Sequence, residues 1–137
     1  MINLSELAIN QVHSAYTTGT FTAIELVQAY LDRIKSPDKT GPRLNFILAQ
    51  PTTALQEADD LDGYLRTTGG LKEGLHSIPT IIEDQIETKG IITIFGSIVE
   101  KHHVPDEDAA PVQKLKNSGA VVIAKSTMPG EDNIHTQ

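Results

Sequence analysis

The chain has 137 residues, with 11 basic against 18 acidic side chains and a net charge of −7. That balance argues against nucleic acid as a partner, since phosphate binding needs a basic face. Apolar residues make up 39%, which suits one globular domain over 1–137, and no segment nears the roughly 18 consecutive apolar residues of a membrane span.

Cysteine is absent, which removes disulfides, thiolate catalysis and Cys-based zinc sites and agrees with a reducing, cytoplasmic setting. The N-terminal MINLSEL has no basic region followed by an apolar one, so no secretory signal is expected.

Leu4, Leu7, Ala8, Val12 and Ala15 recur at helical spacing, with Asn3 as N-cap, Glu6 three residues on and Thr17-Thr18-Gly19 as the stop. In a second helix Thr22 and Glu25 form a capping box, and Phe21 staples onto Leu26. Leu26, Val27, Tyr30, Leu31 and Ile34 give this helix one apolar face, and Ser36-Pro37 ends it. The two helices occupy 3–36, and residues 36–43 (SPDKTGPR) read as a polar loop.

An α/β core is predicted over 44–128. Leu44 to Ala49 reads as a strand, and Thr53 with Gln56 is a second capping pair opening a third helix. Its stripe is Ala54, Leu55, Ala58, Leu61 and Leu65, Thr67 to Gly70 close it, and Gly63 weakens its last turn. Ile78, Thr80, Ile81 and Ile82 follow as a short β-branched run that stops at Glu83-Asp84. So apolar a run predicts a strand buried on both faces, and its charged end is where α/β sheets place their chemistry. Residues 100–107 read as an exposed loop. Asp108 then caps a helix over Val112 and Leu115, Gly119 is its left-handed C′ residue, and Ala120 to Ala124 form a third buried strand. The last seven residues, Glu131 to Gln137, carry no pattern. The order α-α-β-α-β-α-β predicts an α/β layer fold with a mainly parallel sheet.

The stretch from Gly74 to Ser97, GLHSIPTIIEDQIETKGIITIFGS, resembles the first signature block of the amidase signature family. That block is worded close to HGIP-(apolar)-K-D-x-(apolar)-x-T-x-G-x-x-T-T-x-G-S. His76, Ile78, Pro79, Asp84, Thr88, Gly90, Thr93, Gly96 and Ser97 match it, and the family's catalytic lysine falls on Glu83. The two N-terminal helices and the run from Gly119 to Met128 resemble the family as well. The resemblance extends from about residue 4 to about residue 129 and implies the N-terminal portion of a truncated amidase-like layer fold.

Enzymes of this family use a lysine, a bridging serine with a cis peptide and a nucleophilic serine, with backbone amides of a glycine-serine-rich loop holding the oxyanion. By the resemblance that loop and both serines lie downstream of Gln137, and no Gly-Gly-Ser-Ser-like stretch occurs here. Amide hydrolysis by this chain alone is therefore not expected, even after Glu83→Lys. A sheet cut short also implies an open edge and an uncovered apolar face. That predicts a homodimer or higher oligomer that pairs sheet edges across a two-fold axis.

Glu83, beside Asp84 at a strand end, is the candidate general acid or base. In the competing reading Glu83 is residual and Asp84 caps a turn. His76 is a third catalytic candidate, although the resemblance implies that it supports the turn it occupies. Ser97 lacks a nucleophile-elbow context, so with Thr93, Thr127 and Lys125 it is assigned to substrate binding. Lys125 also stands to pair with Glu83 or Asp84 across neighbouring strand ends. His102, His103, Asp106, Glu107 and Asp108 have no recognised metal-ligand spacing and read as a solvated loop, and no metal or cofactor is expected.

The leading expectation is a repurposed small-molecule enzyme. It would be an isomerase, cyclase or lyase acting by proton transfer at Glu83, placed by analogy alone in specialised-metabolite biosynthesis. The alternatives are a non-catalytic binding module and a fragment of a longer amidase-family hydrolase.

Overall fold

Residues 1–36, 45–97 and 99–127 are described by the structure, a computed structural model. The elements follow in the expected order: α1 (Ile9–Thr18), α2 (Ala23–Lys35), β1 (Ile47–Ala49), α3 (Ala54–Thr68), β2 (Pro79–Glu83), α4 (Ala110–Asn117) and β3 (Val121–Ser126). Most of the predicted loop 36–43, the start of the predicted strand at Leu44, and Glu131 to Gln137 lie outside the described residues.

Helix α1 starts later than its apolar spacing suggests. Asn3 Oδ1 accepts from the Ser5 amide at 3.0 Å and Glu6 sits at φ +55°, so the chain turns there instead of coiling. The helix begins after Ala8, whose amide donates to Gln11 Oε1 at 2.8 Å. Leu4 and Leu7 still pack against the main core. At α2 the expected capping box forms: Thr22 Oγ1 accepts from the Glu25 amide at 3.2 Å and Glu25 Oε2 from the Thr22 amide at 2.8 Å.

Helix α3 opens without its expected capping pair, because both side chains find partners one turn on. Thr53 Oγ1 donates to Glu57 at 2.8 Å and Gln56 Nε2 to Asp60 at 3.0 Å. Its buried face carries an acid that apolar patterning passes over. Asp62 Oδ1 accepts from the Ala23 amide at 2.9 Å and Oδ2 from the Ile24 amide at 3.1 Å. A carboxylate at a helix N-terminus satisfies two orphan donors and faces the positive end of the helix dipole, so Asp62 clamps α3 to the start of α2.

Strand β3 lies in the middle of a three-stranded sheet ordered β1-β3-β2, and it is buried from Val121 to Lys125. Strand β2 runs parallel to it through five register pairs, from Pro79↔Val121 to Glu83↔Ser126. β1 is antiparallel and contributes two. The larger core gathers α1, α2, α3, Val121 and Ile123, and reaches Ile78 at the start of β2. A smaller cluster on Ile82, Ile91, Val112 and Val122 packs against Leu115 of α4.

β2 is not buried on both faces. Ile82 is inside, but Ile81 is 44% exposed and Glu83 is exposed. Among the described residues the strand lies at a sheet edge and the helical core stops at Ile78, which leaves one of its faces open.

Asp108 does not cap α4, whose N-cap is Ala109. It accepts instead from the Lys89 amide at 2.8 Å and pairs with Lys116 Nζ at 2.9 Å. The helix ends as expected, with Gly119 at φ +93°.

The turn before β2 is interlocked from two sides. Leu75 and Ser77 donate their amides to the Ser118 and Gly119 carbonyls, each at 2.8 Å, and the Tyr16 hydroxyl donates to the Ser77 carbonyl at 2.9 Å. Ser77 takes φ +51°, the left-handed region that favours the glycine of the HGIP wording. Its buried Oγ has no partner among the described residues. Ser77→Gly removes about 1 kcal/mol of left-handed strain and an unsatisfied hydroxyl worth about 1–3 kcal/mol. Against this stands about 0.5–1 kcal/mol of extra unfolded-state entropy. The expected result is a net gain of about 1–3 kcal/mol, read as a higher urea midpoint at unchanged m-value.

Candidate functional site

Three of the candidate residues meet behind the C-terminal end of β2, and all three are buried: Asp84, Thr93 and Lys125. Asp84 ends the strand by donating its amide to the Ser126 carbonyl at 3.0 Å. Its carboxylate turns back into the loop that follows. Oδ1 accepts from the Ile94 amide and Oδ2 from the Gly96 amide, both at 2.7 Å. Between those amides Phe95 is held at φ +51°. One buried carboxylate therefore fixes the return of residues 85–96, through charge-assisted bonds at the short end of their range.

Lys125 comes off β3 and inserts under the same loop. Its Nζ donates to the Asp84 carbonyl at 2.8 Å, to Thr93 Oγ1 at 2.8 Å and to the Ile86 carbonyl. An ammonium has three protons to give, and these acceptors take them all. Burial pushes the Lys125 pKa below the ordinary lysine range, while the nearby Asp84 and Glu87 charges pull it back up. The expected pairing with the Glu83 or Asp84 carboxylate does not form among the described residues; two backbone carbonyls and the Thr93 hydroxyl take its place. The arrangement holds a loop and leaves no ammonium proton for a substrate.

The side chains of the other candidates take no part in these hydrogen bonds. Glu83 is exposed, and among the described residues its carboxylate accepts from the Gln85 side chain at 3.2 Å. The candidate acid or base therefore ends a strand that, against expectation, is not buried on both faces, and it points to solvent. Side chains alternate along a strand, so the turn from Glu83 to Asp84 sends one carboxylate to solvent and its neighbour to the core. Ser97 Oγ accepts from the Val99 amide at 3.2 Å. Thr127 is exposed, with Oγ1 donating to the Phe46 carbonyl at 3.3 Å beside β1. In the histidine-rich loop, His103 Nε2 lies 3.2 Å from Glu87.

His76 lies in the turn before β2, away from Asp84 at the strand's far end. It is buried, and Nδ1 accepts from the Lys72 amide at 3.0 Å. Tyr16 and Tyr64 flank the ring at centroid distances of 6.1 and 6.3 Å. Burial lowers its pKa below 6.5, with His13 and Lys72 acting in the same direction and Asp62 against them. The unfolded chain therefore takes up this proton first as the pH falls. The contribution is fully present above about pH 6.5 and is lost as pH drops toward the folded-state pKa, at up to about 1.4 kcal/mol per pH unit. Between pH 7.5 and 5.5 the urea midpoint of the wild type is expected to fall more than that of His76→Asn.

Cavities lined by described residues occur on another part of the surface. A cleft of about 320 Å³ has Glu57, Asp60, Tyr64, Lys72 and Lys116 on its walls. A neighbouring one of about 170 Å³ shares Glu57 and Lys116. Neither contains Glu83, Asp84, His76, Thr93 or Lys125. Sequence patterning does not single out Asp62, Tyr16 and Ser77, which lock the scaffold. A buried acid at position 62 does leave one trace, since it falls on the same helical stripe as Ala54, Ala58 and Leu65.

A match to the family described as Amidase covers residues 25–131. Among curated relatives, the chain is 37% identical over 123 residues to a Glutamyl-tRNA(Gln) amidotransferase subunit of Lawsonia intracellularis, covering 89% of this chain and 24% of the relative. The Indoleacetamide hydrolase of Bradyrhizobium diazoefficiens is 29% identical over 116 residues, covering 85% and 22%. Among solved structures, the native peptide amidase of Stenotrophomonas maltophilia superposes with a TM-score of 0.82 at 36% identity, covering 89% of this chain and 25% of that one. The chain spans about a quarter of the length of the relatives it matches, corresponding to their N-terminal portion. No helix among the described residues is long and apolar enough to cross a membrane.

Proposed function

Since the chain belongs to the amidase family, we propose that these 137 residues form a non-catalytic piece of the amidase fold, a module that assembles with another polypeptide. One observation carries this reading. The position of the family's catalytic lysine is held by an exposed glutamate, while the lysine buried nearby, Lys125, gives all its protons to loop acceptors. A general base must reach the proton it abstracts with a free lone pair; Lys125 has none to offer, and Glu83 lies in solvent outside both clefts. Turnover by proton transfer at Glu83 on a small-molecule substrate, as isomerase, cyclase or lyase, draws no support from a carboxylate in bulk solvent. A dimeric, cytoplasmic protein belongs to the same proposal, supported by the open edge of β2 and by a sequence without cysteine.

The test is an assay of the chain and of Glu83→Lys against indoleacetamide, a C-terminal peptide amide and glutamine. Neither protein is expected to release ammonia above the uncatalysed background. Saturable ammonia release from the wild type that is lost in Glu83→Gln would sink the reading.

A further inference from the structure

We propose that β2 pairs with β2 of a second copy of this chain, antiparallel across a two-fold axis through Ile81. This rests on the reading of the chain as an assembling module and names its partner.

Strand β2 has β3 on one side and no described strand on the other. The bonds from Val121 N to Ile78 O and from Asp84 N to Ser126 O show that its even-numbered residues aim their backbone groups at β3. Alternation then aims the backbone groups of Pro79, Ile81 and Glu83 at the open edge. Those three residues form a self-complementary set. In an antiparallel pair centred on Ile81, each copy's Ile81 amide meets the other's Ile81 carbonyl, giving two bonds. Each Glu83 amide meets the other copy's Pro79 carbonyl, giving two more.

The pair that would remain, a Pro79 amide to a Glu83 carbonyl, is needed by neither copy. Proline has no N–H to give, and the Glu83 carbonyl already accepts from Ile86 at 3.0 Å. No outward donor is left over. The side chains agree with this register. Ile81, 44% exposed, lies opposite its own copy as an apolar cross-strand pair, and each Glu83 faces a proline instead of another glutamate, so like charges are kept apart. A slip of register by two residues would aim the Ile81 amide at the Glu83 carbonyl, which already accepts from Ile86, or aim the Ile81 carbonyl at a proline without an N–H. Exposed edges of this kind are templates for pairing with another chain, and an isologous contact closes at two copies.

The sequence has no cysteine, so one introduced thiol reports the register directly. Opposed residues of a hydrogen-bonded pair have Cα atoms about 5.5 Å apart, inside the range a disulfide bridges. Two copies of residue 83 would be roughly 13 Å apart, at about 3.3 Å per residue, beyond that range. Sedimentation velocity of the wild type at about 50 μM is expected to show a dimer. Under mild oxidation Ile81→Cys should cross-link at least about tenfold faster than Glu83→Cys, as the distance limit requires. Ile81→Lys sets two ammonium groups against each other at an exposed position and should give a folded monomer. Ile81→Pro removes only an outward amide and should do the same. A monomeric wild type, equal cross-linking of the two cysteine variants, or an oligomer that persists in Ile81→Lys would each overturn the pairing. The ammonia assay is indifferent to all three results, so the pairing and the absence of turnover stand or fall separately.

Discussion

Gly119→Ala is expected to destabilise the chain by about 2–4 kcal/mol, the larger part from overpacking and about 1 kcal/mol from the left-handed backbone. Gly119 has φ +93°, and a Cβ built there would stand 2.9 Å from His76 Cα and 3.1 Å from His76 N. The obstructing atoms are main chain, so no rotamer change relieves them. The turn that would have to retreat is held by Leu75 and Ser77 bonded to the Ser118 and Gly119 carbonyls, and by Tyr16 on the Ser77 carbonyl. Its retreat would disturb the entry to β2, its start beside β3 and the α1 contact together. At an m-value of about 2 kcal/mol/M the urea midpoint should drop by roughly 1–2 M. Gly63→Ala is the control: the new methyl has only the Arg66 guanidinium near it, at 3.7 Å, and a helical glycine replaced by alanine should gain up to about 1 kcal/mol.

Where a signal acts within a few residues, the sequence can be read directly. Thr22 and Glu25 bond each other across one turn, and Gly119 closes α4 with a dihedral that glycine adopts freely; both signals are local. The start of α1 differs from its pattern because Leu4 and Leu7 do bury themselves in the core, but from a turn instead of a helix. Their periodicity reports burial and not conformation. Asp62 and Lys125 are harder to place, because a charged residue is buried only when distant partners satisfy it. Those partners, the Ala23 and Ile24 amides for one and the loop after β2 for the other, lie 32 to 41 residues away along the chain. The β-branched run of β2 has the composition of an interior strand. Whether both of its faces are covered depends on elements elsewhere in the fold and not on the run itself, and among the described residues Ile81 and Glu83 stay exposed.

Asp84→Asn should cost about 2–4 kcal/mol, while Glu83→Gln beside it should stay within about 0.5 kcal/mol of wild type, as surface substitutions usually do. The contrast separates two carboxylates that the sequence presents as a pair. Each Asp84 oxygen accepts a backbone amide at 2.7 Å. An asparagine keeps one acceptor and turns an NH₂ toward the other donor, so one of the Ile94 and Gly96 amides loses its partner and meets a second donor head-on. A hydrogen bond to a charged group contributes about 1.5–3 kcal/mol, and an orphaned buried donor costs about 1–3 kcal/mol. Asp84 also supplies the negative charge that supports the buried Lys125 ammonium, so the variant weakens the lysine's hold on the Ile86 carbonyl and Thr93. Phe95, kept at φ +51° by the two clamped amides around it, loses the constraint that maintains a backbone state unfavourable for a bulky side chain. Hydrogen exchange should therefore show the Ile94 and Gly96 amides losing protection in Asp84→Asn but not in Glu83→Gln, ahead of any global unfolding. Equal stability and protection in the two variants would mean that the buried carboxylate does not hold this loop.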